Sequence, residues 1–124
     1  VVAAQSNGAI LNLEASFQIF EEAADALGVS VGKIRRYVED HSLIEVKIDG
    51  KKFIPRETIV DGEPLHSLRG TVMMLIDCGL NIQDAVEWIY TENDDLDLHG
   101  GTPMKALLAG HKSPVRRAAQ FLAQ

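Results

Sequence analysis

From Phe20 onward, apolar residues return at a helical spacing. Phe20, Ala23, Ala24 and Leu27 share one face, and Glu21 and Glu22 fall in the first turn, where negative charge suits the helix dipole. Gly28 can take the left-handed conformation that ends a helix, and Ser30 can cap a second one through its hydroxyl. At 100° per residue, Val31, Ile34 and Val38 form the inward stripe of that second helix, Val31–His41. Gly32, Lys33, Arg36 and Asp40 face away from it, with Arg35 and Tyr37 on the flanks and Val29 plugging the space between the helices. After Ser42 the period drops to two: Ile44, Val46 and Ile48 alternate with Glu45 and Lys47. Asp49-Gly50 is a strong hairpin signal, and a return strand from Lys51 to Ile54 sets Phe53 opposite Val46 and Lys52 opposite Lys47, with Pro55 ending it.

The rest of the chain reads as helices. Ser67 is expected to cap one that runs to Cys78 and stops at Gly79, and Asn81 to cap Ile82–Tyr90, whose apolar face holds Ala85, Val86, Trp88 and Ile89. A polar loop spans Thr91 to Gly101. Thr102-Pro103 and Ser113-Pro114 each begin a further helix, with Gly110 between them. Residues 1–16, rich in small and polar residues, read as a flexible tail on which Leu11 and Leu13 are the docking candidates. The expected fold is therefore mainly α with a small β-hairpin: a winged helix-turn-helix at 17–60 and a C-terminal helical module at 61–124.

Composition narrows the function classes. The chain has 124 residues with a net charge of −6, which at first argues against nucleic acid. The distribution reverses that impression, because residues 30–56 carry seven bases and four acids while both flanks are acidic. No run reaches the roughly 20 apolar residues of a membrane helix, and the first residues lack the basic and apolar regions of a secretion signal. The single cysteine, Cys78, lies in an apolar stretch, reads as a small buried hydrophobe, and fits a reducing cytoplasm.

Catalytic and metal chemistry find little support. His41, His66, His99 and His111 are scattered without ligand spacing, and the single cysteine cannot supply a thiolate pair, so neither a metal nor another cofactor is expected. A calcium loop counted from Asp95 would need Glu at its twelfth place, where Ala106 stands. Gly100-Gly101-Thr102 lacks the Gly-Lys-[Ser/Thr] of a phosphate loop, and no serine or cysteine sits in a nucleophile motif. An enzyme is not expected.

The functional reading rests on Glu21 to Arg56. Two helices joined by a short glycine-containing turn place the second in the major groove, and a basic ribbon beside it suits the flanking backbone. The DNA-contacting set is Ser30, Gly32, Lys33, Arg35 and Arg36 on the helix, with Lys47, Lys51, Lys52 and Arg56 on and beside the wing. Arg36 has the fork to bridge guanine O6 and N7, whereas Lys33 suits a phosphate. The plain alternative is a solvated helix face neutralised by Glu39 and Asp40, with wing lysines that only block edge pairing. The arrival of turn, helix and hairpin in order favours double-stranded DNA.

The run EEAADALGVSVGKIRRYVEDHSLIEVKIDGKKFIP resembles the winged helix-turn-helix of MerR-type and excisionase-type proteins. Two departures are Ile19, where a capping Ser or Thr is common, and Gly32 within the reading helix. The run AVEWIYTENDDLDLHGGTPMKALLAGHKSPVRRAAQFLAQ is similar to the toxin-binding domain of a class of bacterial antitoxins, through its A-x-x-W-[IL] helix and G-x-T-P helix start. Together they resemble a family of small actinobacterial DNA-binding proteins. The resemblance implies transcriptional regulation, and a homodimer or protein partner held by the C-terminal helices. It also implies a Ser/Thr kinase acting on the tail, whose hydroxyl residues are Ser6 and Ser16. The competing function is a protein-interaction adaptor, or an antitoxin-like neutraliser, working through those same helices.

Overall fold

The structure is a computed structural model that describes residues 17–123. The expectations for the tail, including Leu11, Leu13, Ser6 and Ser16, lie outside the described residues. The chain divides into two compact units, with the boundary between His66 and Ser67.

The first unit begins with a strand that the hydrophobic pattern does not reveal. β1 (Phe17–Gln18) pairs antiparallel with β3 (Lys51–Pro55), Phe17 opposite Pro55. Helices α1 (Phe20–Leu27) and α2 (Val31–Glu39) follow, with Gly28 at φ +69° ending α1. The second helix thus stops two residues short of the expected His41: Asp40 is its C-cap, and His41 has a φ of +68° that no α-helix accommodates. At Ile19, where no side-chain cap is available, Glu22 substitutes. Its Oε1 accepts the Ile19 N–H at 3.0 Å, which is the reciprocal half of a capping box. The helix start is therefore defined without a hydroxyl residue.

β2 (Val46–Ile48) and β3 form the wing in the expected register, Val46 opposite Phe53 and Lys47 opposite Lys52. Asp49 and Gly50 have φ of +52° and +79°, the two left-handed residues of a type I′ turn. β3 ends at Pro55, as expected, but Pro55 is itself paired, with Phe17 of β1; pairing with β2 stops at Phe53, so the missing N–H of Pro55 faces no strand on that side. Between α1, α2 and β3 the core is Ala23, Ala24, Ile34, Leu43 and Ile54, with Phe20, Leu27, Val29 and Tyr37 packed against it. The two alanines leave room for α2 to cross close by.

The helical reading of the remaining chain needs correction between Arg56 and Pro64. A 3₁₀ turn (Arg56–Thr58) leads into a second hairpin, β4 (Ile59–Val60) and β5 (Glu63–Pro64), closed by Asp61 and Gly62 at φ of +53° and +77°. Thr58 is buried, its hydroxyl donating to the Pro55 carbonyl at 2.6 Å, and its own carbonyl accepts the Leu65 N–H at 2.8 Å.

The second unit is helical. α3 (His66–Asp77) starts one residue before the expected cap Ser67, whose carbonyl instead accepts the Thr71 hydroxyl inside the helix. α4 (Ile82–Tyr90) is capped by Asn81, which accepts the Asp84 N–H at 2.8 Å; Ala85, Val86 and Ile89 are buried and Trp88 half-buried. The polar loop after it is not irregular throughout. Asp94–His99 winds as a 3₁₀ helix capped by Asn93, because Leu96 turns inward and is fully buried. α5 (Pro103–Leu108) is capped by Thr102, which accepts the Lys105 N–H at 3.2 Å. Gly100, at φ +102°, passes so close to this helix that an added Cβ would stand 2.7 Å from the Lys105 Cβ. α6 (Lys112–Gln120) begins at Lys112 and not after Ser113, with Pro114 still in the first turn, where its missing N–H costs nothing. A 3₁₀ turn, Phe121–Ala123, ends the described chain. Cys78 is half-buried, its Sγ 3.7 Å from the Ala119 carbonyl, so it is less enclosed than its apolar setting predicts.

Candidate nucleic-acid interface

The outward face of α2 is set by its first turn. Ser30 Oγ accepts the Lys33 N–H at 3.1 Å, fixing the helix start and the rotation of every side chain after it. Ile34 is buried, whereas Ser30, Gly32, Lys33, Arg35 and Arg36 are all exposed. Gly32 meets nothing but the Ser30 hydroxyl, 3.7 Å from an added Cβ, so its side of the helix is open to close approach. The Lys33 ammonium lies 4.9 Å from the centroid of the Tyr37 ring. At an exposed position such a cation–π contact contributes about 0.5–1 kcal/mol, enough to bias the rotamer and too little to lock it. Arg36 makes no ion pair with a described residue.

Arg35 faces sideways, toward the wing. With Val31, Val38 and Glu39 it lines a cleft of about 670 Å³, bounded across from α2 by Gly50, Lys51 and Lys52. Glu21 and Glu45 also reach this cleft, so it is mixed in charge, whereas Lys33 and Arg36 stand exposed on the outer face of α2, with Asp40 at its C-terminal end.

Not all the wing lysines act together. Lys47 and Lys52 stand directly opposite each other on the exposed face of the hairpin, whereas Lys51 pairs with Ile48 and so belongs to the other face, exposed only because it sits at the tip. Like charges directly across a ladder repel. A polyanion between them removes that repulsion. Arg56 stands apart from the wing: its guanidinium reaches Glu22 Oε2 at 3.4 Å, with both side chains about half exposed. Glu22 thus holds the start of α1 with one oxygen and the end of β3 with the other. Such a half-exposed pair contributes under about 1 kcal/mol and yields readily to a phosphate.

Sequence reasoning overlooked two features here. The Tyr37 ring, read only as a flank residue, lies beneath Lys33; the i, i+4 spacing places any such pair side by side. The carboxylates of Glu39 and Glu45 border the cleft, a proximity that only the folding of wing onto helix creates. Elsewhere, the histidines are less scattered than they read, since His99 Nδ1 and His111 Nδ1 lie 2.9 Å apart. No group of three or more metal-ligating side chains occurs among the described residues, and no described helix is long and apolar enough to cross a membrane.

A capped helix after a glycine turn, exposing bases beside a two-stranded ribbon, defines a winged helix-turn-helix domain of the DNA-binding class. The comparisons agree. Residues 10–59 match the family described as "DNA-binding protein Rv2175c, wHTH domain", and residues 65–123 match "Rv2175c C-terminal domain of unknown function". The chain belongs to the Rv2175c family and carries both of its domains in order. It is 27% identical over 110 residues to the DNA-binding protein Rv2175c of Mycobacterium tuberculosis, covering 81% of this chain and 75% of that protein. The NMR structure of Rv2175c superimposes with a TM-score of 0.75 at 26% identity, over 87% of this chain and 81% of that one. These likenesses indicate a DNA-binding protein.

Proposed function

We propose that this protein binds double-stranded DNA in a sequence-dependent manner and regulates transcription. The α2 helix enters the major groove, with Arg36 reading base edges and Lys33, Ser30 and the open backbone at Gly32 close to them. Arg35 lies toward the cleft, and Lys47, Lys51, Lys52 and Arg56 grip the sugar-phosphate backbone on either side. The observation that carries this reading is Arg36, without an ion pair to any described residue and exposed on the same capped helix as Lys33, together with the facing Lys47–Lys52 pair of the wing, in a chain that is acidic elsewhere. The match to a wHTH family of DNA-binding proteins supports it. The site is built to hold a polyanion and needs neither cofactor nor catalytic group, and such a protein works where DNA is, in the cytoplasm of a bacterium.

With a net +3 over residues 30–56, a single copy binds weakly and with a modest salt dependence, each phosphate contact contributing roughly −0.9 to the log–log slope. The C-terminal unit then raises affinity as a homodimer, or holds a protein partner, and the tail is where a Ser/Thr kinase would act. Selection of bound fragments from random duplex DNA, followed by salt titration on the winner, tests the reading. Enrichment of a shared sequence with a salt-dependent affinity is the expected result; no enrichment, with retained binding to a protein, favours the adaptor reading, which draws its support from the exposed Leu98 and Phe121.

A further inference from the structure

The C-terminal unit carries an apolar surface that the DNA reading leaves unused. Leu98 is 92% exposed and Phe121 61%, and Phe121 lines a groove of about 380 Å³. Asp95, His99, Pro114, Arg117, Ala118 and Phe121 line that groove. With three residues per turn in a 3₁₀ helix, Asp95 and Leu98 lie on the same edge. A protruding leucine and a groove large enough to take it therefore sit side by side on one face.

The groove is lined by charges of both signs. Asp95 comes from the 3₁₀ segment and Arg117 from α6, packed alongside it. Asp95 and Arg117 line the same groove, yet neither forms an ion pair with a described residue. A partner of one sign would be repelled by half of such a face. A second copy turned through a two-fold axis meets it with Asp95 against Arg117 in both directions, while each Leu98 enters the other copy's groove.

From this juxtaposition we infer that the face formed by Leu98, Phe121 and the Asp95–Arg117 groove is a homodimer interface. The inference deepens the proposed function, and rests on it only for the consequence that two α2 helices engage one duplex together. The contact is small, so the dimer is in rapid exchange with monomer.

Sedimentation equilibrium of the full chain without DNA tests it, across roughly 1 µM to 1 mM, the range in which so small an interface dissociates. A concentration-dependent monomer–dimer equilibrium is expected. Leu98→Asp, at a position too exposed to affect folding, weakens it by at least about tenfold. Asp95→Arg and Arg117→Asp each weaken it, and together they restore it to within about threefold of wild type. A wild type that stays monomeric throughout overturns the inference, as does undiminished association in Leu98→Asp or a double variant no better than either single one. Arg36→Glu separates this from the DNA reading, because it leaves the association constant unchanged whatever it does to DNA binding.

Discussion

The ammonium of Lys33 rests 4.9 Å from the centroid of the Tyr37 ring, one turn further along the same helix. The ring keeps the charge near the helix surface instead of letting it sweep through solvent, so part of the ordering cost of a phosphate contact is met before DNA arrives. Lys33→Ala is expected to weaken binding about equally for all duplexes and to flatten the log–log salt slope by about 0.9. Tyr37→Phe keeps the ring and should leave the slope unchanged. Fluorescence anisotropy at several salt concentrations reads both.

Arg36 is expected to behave differently, because a guanidinium bridging a guanine reads sequence. Arg36→Ala should cost about 1–3 kcal/mol on the preferred duplex and much less on a scrambled one. Competition binding with the two duplexes gives the ratio directly. An equal loss on both would make Arg36 a phosphate contact.

Ser30 separates stability from binding. Its hydroxyl caps α2 through the Lys33 N–H, so Ser30→Ala should lower unfolding stability by about 1 kcal/mol in urea titration. Ser30→Asp retains a cap of equal quality and places a negative charge against DNA. That variant is expected to keep wild-type stability while its DNA affinity falls.

The wing depends on its turn. Gly50 has a φ of +79°, and Gly50→Ala forces a Cβ into left-handed geometry at a cost of about 1–2 kcal/mol. Nothing lies within 4 Å of the added atom, so strain alone accounts for the effect. The expected outcome is weaker DNA binding with α1 and α2 still packed on Ile34, visible as retained helical circular dichroism.

Local signals made most of the first unit legible. Ser30, Gly28 and the Asp49-Gly50 turn act through bonds within a few residues, so their effects follow from the residues themselves, down to Lys52 opposite Lys47. Asp61-Gly62 is the same dipeptide, yet its strands are two residues long, too short for any alternation to be seen. β1 was hidden for the same reason, and also because its partner lies more than thirty residues away. The start of α6 was misread because proline fits anywhere in a first turn, so Ser113-Pro114 does not locate the cap. On the candidate interface, the exposed bases of α2 were readable from periodicity. The division of the wing lysines between two faces follows from register, and the Glu22–Arg56 pair required the fold. The meeting of His99 with His111, twelve residues apart, likewise depends on how α6 packs beside the 3₁₀ segment.

The most direct test of the central claim is an anisotropy titration of one selected duplex with the wild type and with Arg36→Glu, at a single low salt concentration. A loss of affinity of about a hundredfold or more, with an unchanged circular dichroism spectrum, is the predicted result. Equal affinity of the two proteins would contradict it, and would move the DNA-binding surface away from α2.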